Sequence, residues 1–161
     1  MRFNMIKIDI PGIDEVMEIE HLVLDFNGTM ALDGRIKPGV AVLLRELAAR
    51  IQIHILTAGT FGGVEEQVEG IPCILKVLSG AGQTAQKAEY VAALGAGRTA
   101  CVGNGRNDRE MLRHARLGVA VIQEEGAAVE SLLAADVVCR DIRDALQLLL
   151  HPLRLTATWR V

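Results

Sequence analysis

The sequence predicts an α/β domain with a mostly parallel sheet and helices on both faces. Three observations predict it. Short apolar runs alternate with helical segments along most of the 161 residues, which is the pattern of βαβ units. The central runs are nearly continuously apolar, as suits strands buried on both faces. Three of them stop abruptly in polar or glycine-rich loops: Asp25-Phe26-Asn27-Gly28-Thr29, Thr57-Ala58-Gly59-Thr60, and Gly103-Asn104-Gly105-Arg106-Asn107-Asp108. In open α/β sheets ligands bind beyond the carboxyl ends of the strands, where these loops would lie.

We read one domain over residues 1–161, with an N-terminal hairpin (1–20), a core (21–150) and a tail strand (151–161). Ile6, Ile8 and Ile10 alternate with Lys7 and Asp9, the period of a half-exposed strand, and Pro11-Gly12 turns the chain. Residues 15–20 return as the second strand of an antiparallel hairpin. Leu22, Val23 and Leu24 form the central strand, which ends at Asp25. Residues 30–36 make a turn-rich flap around Asp33-Gly34. Pro38 then suits the start of a helix running from Val40 to Arg50.

Ile51–Leu56 is the next strand, followed by a short helix near 62–69 and a strand from Ile71 to Leu78. A longer helix from Thr84 to Leu94 stops at Gly95, and Thr99–Val102 is a fourth core strand. The remainder reads as a helix over Asp108–Ala115, a strand Leu117–Ile122, a helix Ala127–Ala134, a strand Asp136–Cys139 and a helix Ile142–Leu150. Leu153, Leu155, Ala157 and Trp159 alternate, which predicts a closing edge strand with Trp159 as a packing anchor.

Composition narrows the function classes. The formal net charge of −3 comes without a basic block, which argues against nucleic acid and anionic membranes. No apolar run approaches the ~20 residues that span a bilayer. The N-terminus has no signal-peptide core with a small-residue cleavage site. Cys73, Cys101 and Cys139 are odd in number, far apart and set in apolar runs, so reduced thiols and a cytoplasmic setting are expected.

One carboxylate at a strand end, nearby hydroxyls, Lys87 and a second acidic loop make a chemical set. A carboxylate can attack phosphorus to form an aspartyl-phosphate. A Mg2+ ion on oxygen ligands can neutralise the phosphoryl charge. Hydroxyls, backbone N–H groups and a lysine can hold the remaining oxygens. Metal-assisted phosphoryl transfer is what these residue types can do together.

The motifs resemble the haloacid dehalogenase (HAD) superfamily, and within it small soluble phosphatases similar to P-type ATPases. Asp25-Phe26-Asn27-Gly28-Thr29 resembles the nucleophile loop, and Thr57 after Ile51–Leu56 the second motif. Lys87, in Lys-x-x-x-Val-x-x-Leu-Gly, resembles the third, and Gly103–Asp108 the Gly-Asp-Gly-x-Asn-Asp loop of the ATPases. The resemblance implies a Rossmann-like core. It implies that Asp25 is the nucleophile and a Mg2+ ligand, with the Asn27 carbonyl as a second ligand. Thr57, with the amides of Asn27 and Ala58, would bind the phosphoryl group, and Gly28 joins that phosphate-binding set. Lys87 would neutralise charge between Asp25 and phosphate, and Asn104 and Asp108 would complete or support the metal site.

Two positions depart from the family pattern. Asn27 stands where family phosphatases carry an acid/base, so proton transfer is lost there and slow hydrolysis or transfer to another acceptor is expected. Asn104 stands where the ATPases carry a metal-binding aspartate, which removes one negative charge. The expected function is a Mg2+-dependent phosphohydrolase with a phosphorylated substrate. The alternatives are a phosphotransferase or a non-catalytic phosphate- or metal-binding regulatory module.

Thirty-two positions separate Asp25 from Thr57 and thirty separate Thr57 from Lys87, which leaves no room for a cap domain. Capless relatives use oligomers or large substrates to cover the site, so a homo-oligomer is expected, with the hairpin and tail as contacts. His54 and His21 read as structural residues, His114 and His151 as helix-closing cations, and Glu65 and Glu66 as a solvated face. Asp33 reads as a turn former, with a substrate contact as the alternative, and Arg106 is placed to meet either solvent or a substrate anion.

Overall fold

The computed structural model describes residues 4–59 and 62–161; Thr60, named above at the end of the second loop, lies outside them. The hairpin forms as expected. Strands β1 (Ile6–Ile8) and β2 (Met17–Ile19) pair antiparallel, with Ile6 opposite Ile19 and both buried.

The core sheet has strand order β10-β9-β8-β3-β6-β7, and every neighbouring pair is parallel. Its strands are β3 (His21–Asp25), β6 (Gln52–Thr57), β7 (Ile74–Val77), β8 (Thr99–Gly103), β9 (Leu117–Val121) and β10 (Val137–Cys139). The chain first builds outward from β3 through β6 to β7, then returns to the other side of β3 at β8. That reversal creates a crevice between the carboxyl ends of β3 and β8.

Burial explains why β3 is continuously apolar. Leu22 and Leu24 enter the core on one sheet face, beneath α1 (Val40–Ala48) and α6 (Ile142–Leu150). Val23 points to the other, beneath α3 (Gln83–Leu94) and α4 (Arg109–His114). Two further helices are short: α2 (Val64–Gln67) and α5 (Val129–Ala134).

The flap is a small antiparallel hairpin of β4 (Ala31–Leu32) and β5 (Arg35–Ile36). Asp33 and Gly34 turn it with φ of 51° and 80°, the two positive values of a type I′ turn. Asp33 is therefore a turn former. Between Asp25 and Lys87 the described chain holds only this flap and core elements, with no inserted cap.

The tail is a correction. Pro152–Trp159 forms a helix, α7, rather than an edge strand. Proline at its start is pre-set for a first helical turn, and Leu155 and Trp159, four residues apart, share the inner face. Leu155 is fully buried and Leu153 is exposed. Thr156 Oγ1 donates to the Asp9 carbonyl at 2.9 Å, and the Val161 amide to that of Pro11 at 3.0 Å. The tail thus covers the hairpin of its own chain, and Trp159 packs against the core as expected. Strand β7 is also shorter than expected at its start, where Pro72 cannot donate to a sheet ladder.

Candidate active site

Register brings the polar loops together. Leu24 pairs with Val102 on β8 and Asp25 pairs with Leu56 on β6. Asp25, Thr57 and Gly103 consequently end adjacent strands at one edge of the sheet. A pocket of about 310 Å³ opens there, lined by Asp25, Asn27, Thr57, Ala58, Lys87, Asn104 and three further residues.

A buried ionic cluster forms its floor. Lys87, on α3, is 1% exposed and donates to Asp25 Oδ1 at 2.9 Å and Asp108 Oδ1 at 2.7 Å. Burial pushes the Asp25 carboxyl up to about 7, and nearby Asp108 adds to the shift; Lys87 and the Thr29 hydroxyl oppose it. Burial alone would lower the Lys87 pKa, but its two carboxylate partners hold the ammonium above its ordinary range.

Thr29 Oγ1 stands 3.1 Å from both Asp25 Oδ2 and Asn104 Oδ1. One hydroxyl hydrogen cannot fully serve both. Two oxygens from different strand ends therefore face one small region. Asn104 is anchored by its Nδ2, which donates to the Gly126 carbonyl at 3.1 Å.

Asp108 does not line the pocket. Beyond Lys87, its Oδ2 accepts from the amides of Asn104 at 3.0 Å and Gly105 at 2.9 Å. It closes the fourth loop on itself, which supports the site rather than presenting a free ligand. Gly103 permits this, since a methyl group there would meet Asp108 Oδ2 at 2.5 Å.

Gly28 also takes a different place from the expected one. Its amide donates to the Ala31 carbonyl at 2.8 Å, so that N–H is used inside the turn that follows Asp25 rather than aimed at a phosphate. Its φ is +81°, which favours glycine, and a methyl group there would come within 2.6 Å of Asn104 Nδ2 and 2.9 Å of Asn104 Oδ1. Asn27 Oδ1 accepts from the Gly34 amide at 3.1 Å and so ties the loop after Asp25 to the flap. Thr57 Oγ1 accepts from the Gly59 amide at 3.1 Å and shapes the second loop.

Glu125, Asn107 and Gly105 complete the lining. Glu125 was not among the expected site residues. It follows β9, the next parallel strand, so the strand-end rule that found the other loops also pointed there. Arg106 is exposed and pairs with Glu130 at 3.3 Å. His54 is buried, with Nε2 3.1 Å from His21 Nδ1 and Nδ1 2.8 Å from the Tyr90 hydroxyl. Neither histidine lines the pocket beside Asp25. His114 and His151 stand at helix ends.

The donor set suits a hard divalent cation. It offers carboxylate and side-chain amide oxygens, and Gly28 leaves open the space that a Cβ would fill. Among the described residues no three His, Cys, Asp or Glu side chains gather into one ligand set, so amide, carbonyl or water oxygens would have to take part.

Similarity to solved structures agrees with this architecture. The 3-deoxy-D-manno-octulosonate 8-phosphate phosphatase of Moraxella catarrhalis, in complex with magnesium, phosphate and KDO, superposes with a TM-score of 0.63. It is 14% identical, over 87% of this chain and 90% of that one. The cobalt-bound deoxy-D-mannose-octulosonate 8-phosphate phosphatase of Haemophilus influenzae gives 0.69, at 14% identity over 89% and 94%. An apo phosphoserine phosphatase gives 0.61, at 16% identity over 80% and 98%. The chain shares the fold of these phosphatases, and its described residues hold no inserted cap.

No protein-family model matches the chain. It is 51% identical over 59 residues to an uncharacterized protein of Methanocaldococcus jannaschii, a match covering 37% of this chain and 63% of that protein, less than two thirds of its length. A second uncharacterized protein of that organism is 51% identical over 39 residues, which are 24% of this chain and 89% of the relative. The chain belongs to one family with this second protein.

Proposed function

We propose that this protein is a Mg2+-dependent phosphohydrolase acting through an aspartyl-phosphate on Asp25. The observation that carries the proposal is the placement of Asp25. It ends the central strand beside the topological switch point, lines the pocket, and has one oxygen on Lys87 and the other on Thr29. Phosphatases among the structural neighbours support the reading, as do the magnesium and cobalt present in two of them.

Asp25 Oδ2, the Asn27 carbonyl and Asn104 Oδ1 would hold the cation, which would supply positive charge to the phosphoryl oxygens. A carboxylate oxygen of Asp25 attacks phosphorus; the new O–P bond forms as the bond to the substrate oxygen breaks. Lys87 and Thr57, with the backbone amides of Asn27 and Ala58, bind the transferring group. The leaving oxygen takes its proton from solvent, because the Asn27 amide has none to give. Water then hydrolyses the aspartyl-phosphate without a base at position 27, which makes this step slow. Asp108 keeps Lys87 and the fourth loop in position.

The same reading carries a phosphorylated substrate entering an open pocket, a homo-oligomeric assembly and a cytoplasmic setting. Asn27, held to the flap by Gly34, favours a second reading, in which the site is a phosphate- or metal-binding regulatory module or a phosphotransferase that passes its phosphoryl group to a specific acceptor. Hydrolysis of an aryl phosphate, followed with and without Mg2+ for the wild type and Asp25→Asn, tests the first. Mg2+-dependent turnover absent from the variant is expected; equal turnover in both would overturn it.

A further inference from the structure

We propose that Glu125 is a ligand, direct or through one water, of the divalent cation held beside Asp25, and that it restores the negative charge Asn104 lacks. The loop that carries it is fastened at several points. Gln123 Nε2 donates to the carbonyls of Gly28 at 3.1 Å and Thr29 at 2.8 Å, so the segment is bound to the nucleophile turn. Gln123 Oε1 accepts from Lys37 Nζ at 3.0 Å and from the Ile142 amide at 2.9 Å, which fixes the same side chain from the other end. Asn104 Nδ2 donates to the Gly126 carbonyl, and the Ala128 amide donates to the Asn104 carbonyl at 2.9 Å. The residues on either side of Glu125 are thus tied to the two loops that flank the reacting carboxylate.

The carboxylate itself reaches the space above Gly28. Glu125 Oε2 and Asn104 Oδ1 each lie 2.9 Å from the point where a Gly28 Cβ would stand. Asn104 Oδ1 is in turn 3.1 Å from Thr29 Oγ1, which stands 3.1 Å from Asp25 Oδ2. Asp25, Asn104 and Glu125 therefore present oxygens in sequence along one wall of the pocket. Its neighbour Glu124 turns outward and pairs with Lys37 at 2.7 Å. Two adjacent glutamates thus have different surroundings, and only Glu125 lines the pocket. Mg2+ affinity rises with the number of charged oxygen ligands, so a carboxylate here offsets an amide at position 104.

The choice of Mg2+ rests on the phosphohydrolase reading; the placement of Glu125 does not. Calorimetric titration with Mg2+, without substrate, separates the two. Glu125→Gln is expected to weaken Mg2+ binding about 10- to 100-fold, the range typical of groups that support a metal site. Glu124→Gln should leave it unchanged, and Asn104→Asp added to Glu125→Gln should recover most of the loss. Unaltered affinity in Glu125→Gln, an equal loss in Glu124→Gln, or no Mg2+ binding by the wild type would overturn the inference. If Asp25→Asn abolishes Mg2+ binding while Glu125→Gln does not, only the role of Glu125 fails. If Mg2+ binding depends on Glu125 but no aryl phosphate is hydrolysed, the phosphohydrolase reading fails and this inference stands.

Discussion

Strand β3 carries two polar clusters on one face, each built around a buried group, and they differ in charge. His21, Val23 and Asp25 alternate onto the side covered by α3. At one end, His21 and His54 join Tyr90 of α3 in a neutral hydrogen-bond chain. At the other, Asp25 and Asp108 join Lys87, three residues earlier on the same helix. Burial lowers the His54 pKa to about 4 and raises that of Asp25 to about 7. Each imidazole and hydroxyl can both donate and accept, so the first cluster satisfies itself without charge. An ammonium only donates and a carboxylate only accepts, so the second keeps its charge and needs all its members. Only the charged cluster opens onto a pocket. Burial of a polar group does not mark a site; burial next to an opening does.

Removing the cation should have the largest effect. Lys87→Met leaves Asp25 and Asp108 without their shared partner. A loss of roughly 3–5 kcal/mol is expected for breaking a buried ion pair from one side, read as a lower denaturant midpoint. A loss under about 1 kcal/mol would mean that the cluster is neither dry nor charged.

The pH response should separate the ends. Asp25 has a folded pKa above its unfolded value, so its contribution to stability falls as pH rises from 3.8 to about 7. His54 has a folded pKa below its unfolded value, so its contribution is present above pH 6.5 and is lost as pH falls towards about 4. The two oppose each other across the acidic range. Relative to the wild type, Asp25→Asn should lose more stability on acidification from pH 6.5, and His54→Phe should lose less. Parallel profiles for all three proteins would contradict the assignment.

The smallest expected effect is at the neutral end. Tyr90→Phe removes one hydrogen bond to His54 and should cost about 1 kcal/mol, with no change in Mg2+ binding. A change in Mg2+ affinity would mean that α3 couples the two clusters.

The sequence made the charged end legible and left its wiring obscure. Asp25, Thr57 and the Gly103–Asp108 loop were found because each follows an apolar strand, a local signal. The engagement of Asp108 with Lys87, and of the Gly28 amide with Ala31, depends on contacts that spacing does not encode. Glu125 was passed over because it follows a strand that lacks a familiar motif. The tail was misread because Leu153, Leu155, Ala157 and Trp159 satisfy a period of two, whereas Leu155 and Trp159 also satisfy a helical turn. Pro152 and the docking surface of the hairpin decided the outcome.

The central claim is that Asp25 carries the phosphoryl group. It is tested most directly by acid-quenching the protein after incubation with an aryl phosphate and Mg2+, then locating any added phosphoryl group by peptide mass. The account predicts one phosphoryl group on the peptide holding Asp25, none in Asp25→Asn, and faster loss of the label in Asn27→Asp. Steady turnover with no label on Asp25 at any quench time, or a label on another residue, would contradict it.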